Sequence, residues 1–313
     1  MRYNSLLTKT TYFIRGIFLS VILLYLCGCG EKHEPYVSAS TTIRNNVPVC
    51  LTPSADGTIV YANDYVSVDA SHSEEGYIMV RYQGLSSKVK LQITGPDYMT
   101  YTYDLTQTDY EVFPLSAGNG LYQIGVYENV EGSQYATVFS QEIDLQLTNE
   151  MGAFLYPNQY VTFHADSNVV SKGMELAAPA HDDLEVINFI YNYIIENVTY
   201  DYDKASTVQS GYIPNPDEIL ASGTGICLDY ASVMAAMLRS QQIPTRLEVG
   251  YAGDAYHAWI STYVENQGWI NGIIQFDGQN WSLMDPTFAA NAGEKELKSF
   301  IGDGNNYVTK YIY

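Results

Sequence analysis

The chain has 313 residues, 46% of them hydrophobic and 16% charged, which excludes an intrinsically disordered protein and leaves room for two domains. Its formal net charge is −20, and beyond residue 28 the balance is 12 basic against 35 acidic residues. That excludes a nucleic-acid binder, because phosphates require a basic footprint. Tyrosine is abundant, 29 residues against 10 phenylalanines, which suits half-exposed β-surfaces and points to no particular ligand.

Residues 1–28 read as a targeting segment. Arg2, Lys9 and Arg15 give a basic start, and the apolar run from Gly16 to Gly28 is shorter than a bilayer-spanning helix. The run ends in Leu26-Cys27-Gly28-Cys29, which resembles a bacterial lipobox. The resemblance implies that Cys29 is acylated and becomes the mature N-terminus, holding the protein on a membrane of the bacterial cell envelope, outside the cytoplasm. Residues 29–54 are mixed and polar and read as a tether. Of the four cysteines, Cys27 and Cys29 belong to the leader, and Cys50 and Cys227 are too few for a disulfide framework.

Residues 55–147 carry short alternating runs at Tyr65–Ala70, Tyr77–Tyr82, Val89–Ile93, Tyr98–Tyr103, Leu121–Tyr127 and Tyr135–Ile143, separated by turn residues such as Gly95-Pro96-Asp97. That spacing predicts an all-β sandwich with no nucleophile–base pair. Residues 148–313 read as a second, α+β domain. Tyr160–Phe163 is strand-like, Ser171–Ala177 a short helix, and Asp183 opens a helix with Leu184, Ile187, Ile190, Tyr191, Ile194 and Val198 on one face, capped by Asp182 or Asp183. Thr199–Asp203 is expected to run extended. His33, His72, His164 and His181 show no partner pattern and read as surface residues. The tail from Gly293 reads as a short helix and an apolar end.

The chemistry centres on Gly223-Thr-Gly-Ile-Cys227-Leu-Asp-Tyr-Ala. Cys227, Ala231, Met234, Ala235 and Leu238 recur at helical spacing, so the cysteine opens a helix whose unpaired N–H groups and dipole favour a thiolate. Arg246–Ala252, His257–Val264 and Asn280–Asp285 alternate as strands. With Cys227 as nucleophile, His257 as base and Asp285 as orienter, His257 begins its strand and Asp285 ends its own, so antiparallel pairing of the two would let those two side chains meet. That requires Glu265–Gln279 to be an insertion in a hairpin, with Asp277-Gly278 as its turn. Trp259 and Trp281 face the same way as His257 and Asp285 and read as either walls of the site or core aromatics. Tyr200 and Tyr202 could reach a developing oxyanion or simply pack. Asp229 reads as a first-turn helix acid. No zinc or calcium spacing is present, so no cofactor is expected.

Residues 183–288 resemble the transglutaminase-like superfamily, permuted relatives of the papain-type cysteine peptidases. Tyr200-Asp-Tyr202, Gly225-Ile-Cys227-Leu-Asp-Tyr-Ala, Ile243-Pro-Thr-Arg-Leu-Glu-Val-Gly-Tyr251, His257-Ala-Trp259 and Trp281-Ser-Leu-Met-Asp285-Pro286 carry the resemblance. It implies a Cys227–His257–Asp285 triad acting on protein or peptide amides, by hydrolysis or by transfer to an amine. The other reading is a surface-binding or scaffold lipoprotein whose triad is a relic. Nothing in the sequence sets an oligomeric state.

Overall fold

A computed structural model describes residues 44–106, 108–270, 274–276, 281–283 and 307–313. In chain order the first strands are β1 (Val60–Ala62), β2 (Val66–Asp69), β3 (Tyr77–Tyr82), β4 (Val89–Thr94), β5 (Thr100–Leu105), β6 (Glu111–Pro114), β7 (Gly120–Glu131) and β8 (Gln134–Leu145). They form two antiparallel four-stranded sheets, in the orders β1-β2-β3-β6 and β5-β4-β7-β8. Alternation drives them: Val89, Leu91 and Ile93 are buried while Lys90, Gln92 and Thr94 between them are half-buried. The long β7–β8 hairpin turns at Gly132, whose φ of 56° suits glycine.

Helices and strands then mix: α1 (Asn168–Ala177), α2 (Asp183–Asn197), β9 (Thr199–Tyr200), α3 (Tyr202–Thr207), α4 (Pro216–Ser222), β10 (Thr224–Gly225), α5 (Cys227–Ser240), β11 (Thr245–Ala252), β12 (Ala255–Val264), β13 (Gly268–Ile270), β14 (Ile274–Phe276), β15 (Trp281–Leu283) and β16 (Tyr307–Ile312). The main sheet here has the order β13-β12-β11-β16, all antiparallel. Helix α5 is buried along almost its whole length and shares one hydrophobic core with Leu247, Ala258 and Ile260 of that sheet. The result is a mixed α and β fold, with Ser40–Tyr313 as one compact unit. Among the described residues no helix is long and apolar enough to cross a membrane.

Four local expectations need correction or refinement. Tyr160–Phe163 is not a strand but a single bridge between Asn158 and Val161, because the Asn158 side chain accepts the N–H groups of Tyr160 and Val161, each at 3.0 Å, and closes a turn. Thr199–Asp203 is extended only as far as Tyr200, since Asp201 accepts the Lys204 N–H at 2.8 Å and caps α3. Among the described residues the His257 strand does not pair with the strand that leads to Asp285, and Asp285 itself and the Asp277-Gly278 turn lie outside them. A tight turn with Asn266 (φ 68°) and Gly268 (φ 82°) folds β13 back onto β12, and β15 pairs with β14 in a separate two-stranded sheet. The tail ends in β16, a strand along β11, and its helix expectation lies outside the described residues.

The polar stretch before the first sheet is fastened at its end. Arg44 pairs with Asp183 at 2.7 Å, Asn46 donates to the Ala180 carbonyl at 2.9 Å, and the Val49 N–H donates to the Ser240 carbonyl at 2.9 Å. Polar side chains and backbone, rather than apolar burial, hold it there.

Candidate functional site

The approach to Cys227 is built from turn chemistry. Asn215 accepts the Asp217 and Glu218 N–H groups and Pro216 opens α4, which ends at Gly223 in the left-handed conformation (φ 65°). Thr224-Gly225 then pairs in parallel with Thr199-Tyr200, and Ile226 is the extended residue before α5. Cys227 is therefore the first helical residue. The Asp229 and Tyr230 N–H groups are taken by the Ile226 carbonyl, whereas those of Cys227 and Leu228 lie ahead of any acceptor in the helix. Gly225 is required here because a Cβ would come within 2.7 Å of the Asp229 Cβ.

Helix and strand geometry bring His257 to the same end of the sheet as Cys227. Near the C-terminus of α5, the Arg239 Nε donates to the Thr245 carbonyl at the start of β11. From Arg239 back to Cys227 the helix rises ~18 Å. From Thr245 forward to Gly250, the partner of His257, the strand advances ~17 Å.

Along β12, His257, Trp259 and Ser261 stand on one face and Tyr256, Ala258 and Ile260 on the other. Ala258 and Ile260 join the core that holds α5. The His257 ring, 6% exposed, stacks on Trp259 with centroids 6.2 Å apart and meets Tyr307 at 6.4 Å. Among the described residues no hydrogen bond joins the Cys227 thiol to this ring. Trp259 is 4% exposed and packs edge-on against Tyr307, which makes it a support for His257 rather than an open wall. Asp285 and Cys29 lie outside the described residues, as does the side chain of Trp281.

Tyr200 is drawn to the cysteine by the β9–β10 pairing. Burial pushes its hydroxyl up to about 12, negative charge on Cys227 adds to the shift, and the Cys227 backbone N–H opposes it. Tyr202 is 67% exposed and stands edge-on to Tyr200 at 5.0 Å. Tyr256 is exposed and lies near enough to Cys227 to feel its charge.

Asp229 is more than a first-turn acid. It is fully buried, and its carboxylate accepts from the Ile226 N–H at 2.9 Å, the Lys204 ammonium at 2.6 Å and the Tyr212 hydroxyl at 2.7 Å. Only its position two residues after Cys227 signalled it; Lys204 and Tyr212 lie in a stretch without hydrophobic periodicity. The histidines away from the site are paired rather than isolated: His72 with Asp56 and Glu75, His164 with Asp166, and His181 with Glu185. His33 lies outside the described residues. Among the described residues no group of three or more His, Cys, Asp or Glu side chains could hold a metal ion.

Residues 172–272, about a third of the chain, match the family model described as Transglutaminase-like superfamily. UPF0252 protein MJ1282 of Methanocaldococcus jannaschii is 28% identical over 107 residues, and the match covers 30% of this chain and 30% of that relative's length. Among solved structures, the periplasmic domain of TgpA from Pseudomonas aeruginosa is similar over 74% of this chain and 95% of that one, at 15% identity and a TM-score of 0.36. Red sea bream transglutaminase is similar over 67% of this chain and 50% of that one, at 13% identity and a TM-score of 0.29.

Proposed function

We propose that this chain, transglutaminase-like over residues 172–272, is a lipid-anchored thiol acyltransferase or hydrolase of the bacterial cell envelope that acts on protein or peptide amides. The observation that carries the reading is Cys227 at the first position of a buried helix, with Tyr256, the neighbour of His257 on β12, near enough to be influenced by it. His257 takes the thiol proton, and the sulfur attacks the amide carbonyl carbon. The Cys227 N–H, with Tyr200 beside it, stabilises the oxyanion. The C–N bond then breaks, the amine leaves with the proton from His257, and a thioester remains on Cys227. Water releases an acid from it and a second amine releases a new amide; either way the thiol is regenerated. Asp285 is assigned to hold the imidazole tautomer. The acyl chains on Cys29 supply the anchor, and the two sheets before residue 147 form a β-sandwich that spaces or binds.

One observation favours a second reading. The His257 ring is turned to the face of β12 away from the core that holds α5, as a relic site in a surface-binding lipoprotein would allow. Substrate profiling with a peptide library, with and without added amine, separates the two. The enzyme reading expects amide cleavage or amine incorporation by the native protein and none by Cys227→Ala. Equal, background-level turnover by both would leave the binding reading.

A further inference from the structure

We infer that Lys204 and Tyr212, through the buried carboxylate of Asp229, are positioning residues that latch the 199–212 segment onto the start of α5 and so shape the wall beside Cys227. This rests on the proposed role of Cys227 as nucleophile and names what sets its mouth. Each Asp229 oxygen is committed: Oδ2 accepts from the Ile226 N–H and the Lys204 ammonium, and Oδ1 from the Tyr212 hydroxyl. Lys204 also donates to the Tyr212 oxygen at 2.7 Å and lies 4.3 Å from its ring centroid, which closes a ring of three groups.

The other end of the segment is fastened by backbone. The Thr199 N–H donates to the Gly223 carbonyl and the Asp201 N–H to the Gly225 carbonyl, both at 2.9 Å. Tyr200, within reach of the Cys227 backbone N–H, lies inside the backbone fastening, and exposed Tyr202 lies between it and the latch. Helix α3 has six residues and buries none of them, so neither intrinsic helicity nor hydrophobic packing fixes its place. The latch does. One carboxylate oxygen serves both Lys204 and the Ile226 N–H, so the Gly225–Ile226 peptide, one residue before Cys227, and the wall beside it are set by the same atom.

Burial lowers the proton affinity of Lys204, but its bonds to Asp229 and Tyr212 outweigh this and hold it above the ordinary lysine range. Lys204 therefore stays charged at neutral pH, and its part of the latch is lost as pH rises through that raised value.

Hydrogen exchange on the full chain tests the inference. In Lys204→Met, amides of residues 199–208 should exchange on the order of tenfold faster, as loss of one charged hydrogen bond implies. Alkylation of Cys227 by bulky fluorescein maleimide should rise relative to small iodoacetamide. Lys204→Arg should restore part of both, and Tyr212→Phe, which keeps the ring and guards against a misfolded first variant, should show a smaller change of the same sign. Unchanged exchange and an unchanged reagent ratio in a folded variant overturn the latch. Exchange does not depend on thiol reactivity, so an inert Cys227 counts against the catalytic reading while faster exchange still supports the latch.

Discussion

Asp229 shows how one residue can tie a helix start, a loop and a charge together. Replacing it by Ala leaves a part-buried ammonium, a phenol and the Ile226 N–H without their acceptor. We expect Asp229→Ala to cost about 3 kcal/mol in denaturant unfolding, at the scale of breaking a buried charged pair. His72 is a second residue whose setting makes a prediction. Its hydrogen bond to Asp56 raises its pKa most, burial opposes, and Glu75 adds to the rise. Tyr77 stacks on the ring at 5.7 Å. Because the folded pKa exceeds the unfolded one, the stabilisation is complete below the ordinary histidine range and fades as pH rises through the folded value. A proton NMR titration should place His72 above an unperturbed histidine, and Asp56→Asn should bring it down. Neither setting was legible in the sequence, because Asp56, His72 and Glu75 meet only after the chain has turned through Ser73–Glu75.

Element-scale patterns were the most legible. Helix α2 begins at Asp183 with Asp182 accepting the Glu185 N–H, as apolar spacing and capping chemistry implied. Strand β3 spans Tyr77–Tyr82 as its alternation predicted. The weaker readings fell where side chains compete with the backbone or where turns decide pairing. Strand β6 escaped notice because inward-facing Glu111 breaks the apolar pattern; its carboxylate is occupied by Thr106 and Gln159. Pairing of the His257 strand depended on a turn at Asn266 and Gly268 that no hydrophobic period announces. The junction of β11 and β16 gives an element-scale prediction. At Gly250 a Cβ would lie 2.0 Å from the Val308 carbonyl oxygen, beside the register shift between Val249 and Gly250. Gly250→Ala should therefore loosen β16 and destabilise the fold by about 1–3 kcal/mol, read as a lowered unfolding midpoint with new exchange at Tyr307–Ile312.

At the scale of the whole molecule, the sheets before residue 147 and the helix–sheet part after it meet through tyrosines. Tyr313 packs against Tyr101, Tyr103 and Tyr160, and the Ser116 hydroxyl donates to the Ile312 carbonyl at 2.7 Å. The tyrosine excess in the sequence thus has a packing role that composition alone could not locate. Fully buried Arg239 donates to the carbonyls of Tyr156, Thr245 and Tyr313, joining α5 to both neighbours. We expect a single calorimetric transition for the chain, and a loss of about 3 kcal/mol in Tyr313→Ala. Of the candidate site, the helix that opens at Cys227 and the strand that carries His257 were legible from residue types and spacings. The face that His257 presents was not, because it follows from pairing and pleat rather than from motif. The most direct measurement is the pH dependence of Cys227 alkylation by iodoacetamide in the native protein and in His257→Ala. Reaction near pH 7 should be about tenfold faster than that of a free cysteine and should fall to the free-thiol rate and pH profile without His257. Identical rates and profiles in the two proteins would contradict this.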